Sequence, residues 1–284
     1  MRKKVGFIGA GYMGFGIAKN ILSNNFDLNV IAHKNREPIE RLVKLGAKEF
    51  FNYNDLVKDI DCLIICVTNT PIAKDVAKEI LDKQNQDTLF IDITTHYENG
   101  SIEMDKILSQ KKIKYVECPV MGGPVQAEEG ILGGIVGASE NNFKEAKQYL
   151  MSFCENIFHF GDVGVAAKAK LISNFLSLGT ATFVIESIKA ANHFNIDLQK
   201  LYDVAKLGSG NSGALKRIAD KAVKDDYTGY IFSVDNTLKD FTYINKMLKD
   251  LPNAEKLSSL AKSFYEEASK KGYGNLLVSE LIKK

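Results

Sequence analysis

The sequence predicts an α/β chain in two parts: a domain of alternating strands and helices over residues 1–162, then an all-α domain over 163–284 joined to it by one long helix. Three observations predict it. Short apolar runs at 4–8, 28–32, 61–67, 88–92, 113–117, 131–136 and 156–160 read as strands, and helical stretches separate them. Strands alternating with helices imply βαβ units and a mostly parallel sheet. After Gly164 the strand signal stops, and from Val165 to His193 there is no proline and only Gly179 as a weak breaker. Leu171, Phe175, Leu178, Thr182, Ile185 and Ile188 recur there at helical spacing, which predicts one long helix.

The first strand, Lys4-Val5-Gly6-Phe7-Ile8, runs directly into Gly9-Ala10-Gly11-Tyr12-Met13-Gly14, and Phe15 to Leu22 has helical character. Strand, G-x-G-x-x-G and helix in that order form the fingerprint of a Rossmann dinucleotide-binding domain. Gly9 permits the turn, Gly11 admits a pyrophosphate, and Gly14 lets helix and strand pack closely. Tyr12 and Met13 belong to the same phosphate loop, at a helix N-terminus that favours negative charge.

The second strand ends in His33-Lys34-Asn35-Arg36. An NAD site usually carries Asp or Glu at this tip to bond the ribose 2′-hydroxyl. None stands there, since Asp27 precedes the strand. Lys34 and Arg36 are suited to a 2′-phosphate, and Asn35 can donate to it. The turn, His33 included, therefore favours NADP(H), with NAD(H) as the alternative. Asn35 to Leu45 reads as a helix with Pro38 near its start, and Thr70-Pro71 opens another as N-cap and first-turn proline. Cys62 and Cys66 fall on one face of a buried strand. Further helices are predicted at 197–207, 213–224, 233–249 and 253–271. Phe175, Phe183 and Ile185 of the long helix all call for burial.

Composition narrows the function. A net charge of +2 gives no basic field for nucleic acid or a membrane surface. No segment is expected to approach the roughly 20 apolar residues of a membrane span. After Met1 the apolar run is too short for a leader peptide, and four cysteines are too few for a disulfide framework, so a cytoplasmic location is expected. His33, His96, His159 and His193 share no spacing, and no metal site is expected.

Lys170 and Asn174 lie four apart, so they share a helix face, and a lysine there can act as acid or base. Four ordered segments give that pair a context. They are Gly6 to Gly14 with Ile17-Ala18-Lys19-Asn20-Ile21-Leu22, Glu117-Cys118-Pro119-Val120-Met121-Gly122-Gly123, Gly161 to Asn174, and Leu238-Lys239-Asp240. In these the chain resembles the β-hydroxyacid dehydrogenase family over nearly its whole length. That family includes 3-hydroxyisobutyrate dehydrogenases, tartronate semialdehyde reductases and glyoxylate/succinic semialdehyde reductases. The resemblance implies hydride transfer between NADP(H) or NAD(H) and a small 3-hydroxyacid or its aldehyde or keto acid.

It also implies roles. Lys170 would donate the proton in reduction and accept it in oxidation, and Asn174 would bind substrate and help hold Lys170. Met121, Gly122 and Gly123 would form the substrate segment, the glycines offering backbone N–H groups to a carboxylate. Lys239 would line the site at the nicotinamide, with Asp240 supporting it on the substrate side. Val67, Thr68, Asn69 and Thr95 would contact the cofactor. The long helix would pack a subunit interface, giving a homo-oligomer, dimer or tetramer.

Two departures stand out. Met121 occupies the position of a family serine, which implies a different or bulkier acyl group, and Ala166 replaces a glycine at the start of the long helix. Two other functions share the architecture: an imine reductase, in which the lysine is typically replaced, and a non-catalytic NADP(H)-binding protein.

Overall fold

The computed structural model describes residues 2–83 and 87–284. The chain divides into two compact units, Met1–Lys170 and Leu171–Lys284.

In the first unit, β1 (Lys4–Ile8), β2 (Asp27–Ile31), β3 (Lys48–Phe50), β4 (Cys62–Ile65), β5 (Leu89–Asp92) and β6 (Lys114–Glu117) lie parallel in the order β3-β2-β1-β4-β5-β6. This is the strand order of a dinucleotide-binding sheet. Beyond β6 the sheet continues through β7 (Val120–Met121), β8 (Leu132–Gly137) and β9 (Cys154–Gly161). β8 runs antiparallel to β6 and β7 and parallel to β9.

Both faces of the central parallel strands are covered, as a parallel sheet requires. Cys62 and Ile64 of β4 pack in one apolar cluster, and Leu63 and Ile65 in another. Cys66 packs in the same cluster as Cys62, as the strand period requires, and none of the four cysteines is in a disulfide.

The helices are α1 (Tyr12–Ser23), α2 (Glu37–Lys44), α3 (Tyr53–Leu56), α4 (Thr70–Ile80), α5 (Gly100–Ser109), α6 (Pro124–Glu129) and α7 (Glu140–Leu150). α4 corrects the expected cap. Asn69, not Thr70, caps it, its side-chain oxygen accepting from Ile72 N at 3.0 Å. Thr70 is instead a buried helical residue whose hydroxyl serves His96 and Tyr97. β3 is a second difference. Lys-Glu-Phe is too short for a period-two signal, and pairing with β2 makes it a strand.

α1 and α6 touch through Gly16. A Cβ there would lie 2.5 Å from the backbone nitrogen of Glu128. Beside this contact Asn20 Nδ2 donates to the carbonyls of Gly16 (2.9 Å), Ala127 (2.8 Å) and Glu128 (3.1 Å).

α8 (Val165–His193) has the predicted limits and leads into the second unit, followed by α9 (Leu198–Ala205), α10 (Gly213–Ala222), α11 (Val234–Met247) and α12 (Pro252–Ala268). The predicted helix over 253–271 ends early, in a π-helical turn over Ser269–Tyr273 where Gly272 takes φ 85°. A 3-10 helix, Val278–Lys283, follows. Leu171, Leu178, Ile185 and Ile188 of α8 pack in the second unit's core with Phe241, Ile244, Tyr265 and Val278. Tyr265 stacks on Phe241 at 5.7 Å between centroids, and its hydroxyl bonds Thr182 Oγ1 at 2.7 Å.

Within the single chain α8 leaves part of its expected burial unmet, and one expectation about its composition is corrected. Phe183 is 71% exposed, with Ile172 and Leu176 also exposed. Their positions put them on the side of the helix away from the core residues. In addition, α8 is long and apolar enough to cross a membrane by length and composition. Core helices pass the same test, and the buried row of α8 packs in a protein core.

Gly16→Ala is expected to destabilise the chain by about 1–3 kcal/mol, because the methyl group forces two backbones apart. Urea denaturation measures it, and an unchanged midpoint would contradict the close contact.

Candidate active site

The β1–α1 turn presses against the end of β4. Gly9 takes φ +102°, and a Cβ there would sit 2.2 Å from the Cys66 carbonyl oxygen. A Cβ on Gly14 would sit 1.9 Å from the Gly9 carbonyl oxygen. At Gly11 the opposite holds, with no atom within 4 Å of that position. Gly11 is also the N-cap of α1 and supplies no side-chain cap. The first N–H groups of α1 thus lack intrahelical partners. Open space beside uncapped donors fits a pyrophosphate. Tyr12 is 88% exposed on this loop, while Met13 packs inward.

The loops after β4 and β5 emerge at the same end of the sheet, since Ile8 pairs with Ile65 and Ile65 with Asp92. They carry Val67, Thr68, Asn69 and Thr95. Val67 N donates to Thr94 Oγ1 at 3.3 Å, which ties the loops together. Beneath them lies a buried network that sequence reasoning missed. His96 Nε2 bonds Asp92 Oδ2 at 2.8 Å, His96 Nδ1 bonds Thr70 Oγ1 at 3.0 Å, and Asp92 Oδ1 accepts from Thr94 N at 2.9 Å. His96 thus has both ring nitrogens engaged within the protein, and no His/Cys/Asp/Glu cluster suited to a metal occurs among the described residues.

His33, Lys34, Asn35 and Arg36 follow β2 and are all exposed. Asn35 Oδ1 accepts from Glu37 N at 3.1 Å. Arg36 Nη2 donates to both oxygens of Glu49, at 2.9 and 3.2 Å. The tip of β2 itself carries no carboxylate, but β3 supplies one beside the basic turn.

The start of α8 is organised by Glu117, the buried last residue of β6. Its Oε1 accepts from Gly164 N (2.5 Å) and Ala166 N (3.0 Å), and Oε2 from Ala167 N (3.2 Å). α8 has no acid in its own first turn, so the strand provides the cap. Burial pushes the Glu117 carboxyl above its ordinary value, and the Ser101 hydroxyl with the N–H groups of Gly164 and Ala166 offsets only part of that. An acid closing the predicted strand 113–117 was the available sequence signal.

One turn further along α8, Lys170 is only 9% exposed. Its Nζ donates to the Val120 carbonyl at 2.8 Å and lies 3.5 Å from Met121 Sδ. The lysine is thus held on the predicted substrate segment. Gly122 takes φ +119°, and Gly123 N donates to Gln126 Oε1 at 2.9 Å. A carboxylate would reach the Gly123 N–H only by displacing that amide.

Within the second unit, Asn174 is buried and its Nδ2 donates to Asp240 Oδ2 at 2.7 Å. Lys239 Nζ lies 3.1 Å from Asp240 Oδ1. Asp240, itself buried, joins the predicted asparagine to the predicted lysine.

Comparison with known proteins gives the family and the fold. The family model for the NAD binding domain of 6-phosphogluconate dehydrogenase matches residues 4–161. The model described as NAD-binding of NADP-dependent 3-hydroxyisobutyrate dehydrogenase matches residues 164–284. A mitochondrial 3-hydroxyisobutyrate dehydrogenase of Drosophila melanogaster is 27% identical over 99% of this chain and 90% of its own length. The cytokine-like nuclear factor N-PAC of Anopheles gambiae is 23% identical over 96% of this chain, which spans only 48% of that relative. The crystal structure of a 3-hydroxyisobutyrate dehydrogenase from Salmonella typhimurium superposes with a TM-score of 0.87 at 26% identity, covering 99% of both chains.

Glu117→Ala leaves three N–H groups without their buried acceptor and is expected to cost about 2–4 kcal/mol in urea denaturation. The fold raises the Glu117 pKa above 4.5, so between that value and the raised one the folded chain binds more protons than the unfolded chain. Stability from this group therefore falls as pH rises through that window. The Ala variant should show a flatter pH dependence there, and an unaltered slope would contradict the assignment.

Proposed function

The chain belongs to the β-hydroxyacid dehydrogenase family, and from that membership we infer that it is an NAD(P)-dependent oxidoreductase acting on a small 3-hydroxyacid or on the corresponding aldehyde or keto acid. The observation that carries this reading is the Lys170 ammonium, buried and held 2.8 Å from the Val120 carbonyl on the substrate segment.

Bound nicotinamide would supply or take up the hydride at its C4. The protein's own part is the proton. In reduction, Lys170 Nζ gives a proton to the substrate oxygen as negative charge develops there. In oxidation, the neutral amine takes the hydroxyl proton. A substrate oxygen reaches Nζ by competing with the Met121 thioether, a weak acceptor. The Val120 carbonyl fixes the direction of the amine. Gly122 is suited to donate its N–H to the substrate carboxylate. Asn174 is assigned to substrate binding, with its amide orientation set by Asp240. Lys239 is assigned to the nicotinamide side, and Asp240 partners it as well.

Among the two cofactors NADP(H) is preferred, on the strength of His33, Lys34, Asn35 and Arg36, with NAD(H) also accepted. Gly9, Gly11, Tyr12, Met13 and Gly14 would hold the pyrophosphate, and Val67, Thr68, Asn69 and Thr95 the rest of the dinucleotide. The exposed apolar row Ile172, Leu176 and Phe183 on α8 supports a homo-oligomer, dimer or tetramer. That none of the four cysteines is in a disulfide supports a cytoplasmic location. A net charge of +2 supports a small carboxylate or carbonyl partner rather than nucleic acid or a membrane.

Lys170→Ala is expected to lose about 10²–10⁴-fold in kcat while NADPH binding persists. NADPH oxidation against a panel of small semialdehydes and keto acids measures the first, and fluorescence titration the second. Near-normal turnover would remove Lys170 from the mechanism. Met121→Ser should shift the preferred substrate in the same panel toward smaller, more polar acids, and an identical substrate ranking would remove Met121 from recognition.

A further inference from the structure

We propose that Glu49 is a specificity-determining residue that narrows the gap between NADP(H) and NAD(H) by neutralising Arg36. The inference rests on the reading that the His33–Arg36 turn receives the adenosine ribose.

Three observations carry it. β3 lies parallel beside β2, with Glu49 opposite Val30, so its carboxylate stands near the strand end where a dinucleotide's ribose binds. Arg36 Nη2 meets both Glu49 oxygens, at 2.9 and 3.2 Å, and its Nε faces Glu40 at 3.8 Å. The Glu49 side chain is 16% exposed, against 59% for Glu40, so its charge is the less screened of the two.

The consequence is electrostatic. A 2′-phosphate is close to a dianion at neutral pH, and it gains most from a guanidinium with net positive charge. Here the guanidinium is already paired. A phosphate that reaches Arg36 also approaches the Glu49 carboxylate, and like charges at that range repel. A ribose bearing only a 2′-hydroxyl carries no charge there and meets no such penalty. Glu49 therefore weakens NADP(H) binding selectively and leaves NAD(H) usable.

The test compares the unaltered protein with Glu49→Gln and Arg36→Ala. Glutamine keeps an oxygen for Arg36 and removes the charge. Dissociation constants are measured for NADPH and NADH, and separately for 2′,5′-ADP and 5′-AMP, which report the phosphate alone. Glu49→Gln should tighten NADPH and 2′,5′-ADP about tenfold while NADH and 5′-AMP stay within about twofold. A purely structural role would move all four ligands together, and that result overturns the proposal. So does unchanged or weaker NADPH binding. If Arg36→Ala weakens NADPH alone while Glu49→Gln tightens nothing, the basic turn stands and the role of Glu49 falls. If Arg36→Ala leaves the NADPH to NADH ratio unchanged, the reading of the turn fails and takes the proposal with it.

Discussion

The buried carboxylate of Glu117 is the constraint on which the catalytic reading depends. A helix that begins inside a protein presents N–H groups with no partners of their own. α8 has no first-turn acid to satisfy them, so the end of β6 does so across 47 to 50 residues of sequence. That choice fixes both the start of the helix and its rotation about its axis. Lys170, close behind, then meets the β7 backbone with an ammonium group that water barely reaches. A lysine held in this way has lost much of its rotamer freedom before any substrate arrives, which suits the proton transfer proposed for it.

The same economy runs through the cofactor side of the first unit. Two close backbone contacts, at Gly9 and Gly14, leave Gly11 facing empty space. Gly16, one turn later, brings α1 against α6, and Asn20 bonds three carbonyls at that junction. The helix that would carry the pyrophosphate is thereby joined to the helix that follows the proposed substrate segment. Beneath the loops after β4 and β5, the Asp92–His96–Thr70 network holds the backbone from below. In the second unit Asp240 plays a comparable part, ordering Asn174 and Lys239 with one buried carboxylate.

Much of this was legible in the chain itself. The glycine spacing, the alternation of strands and helices, the limits of α8 and the four-residue interval from Lys170 to Asn174 all follow from local sterics and from periods of two and 3.6 residues. Tertiary structure decided the partners. Glu117 was one acid among many until β6 ended beside Gly164. Glu49 met Arg36 only because a three-residue strand with no pattern of its own paired with β2. Gln126 took the Gly123 N–H, and Phe183 stayed exposed despite its apolar side chain. The reason is one of range: backbone preference and periodicity act over a few residues and leave a trace in the sequence. Buried charges and hydrogen bonds are satisfied by whichever groups the fold brings within about 3 Å, however far apart they stand along the chain.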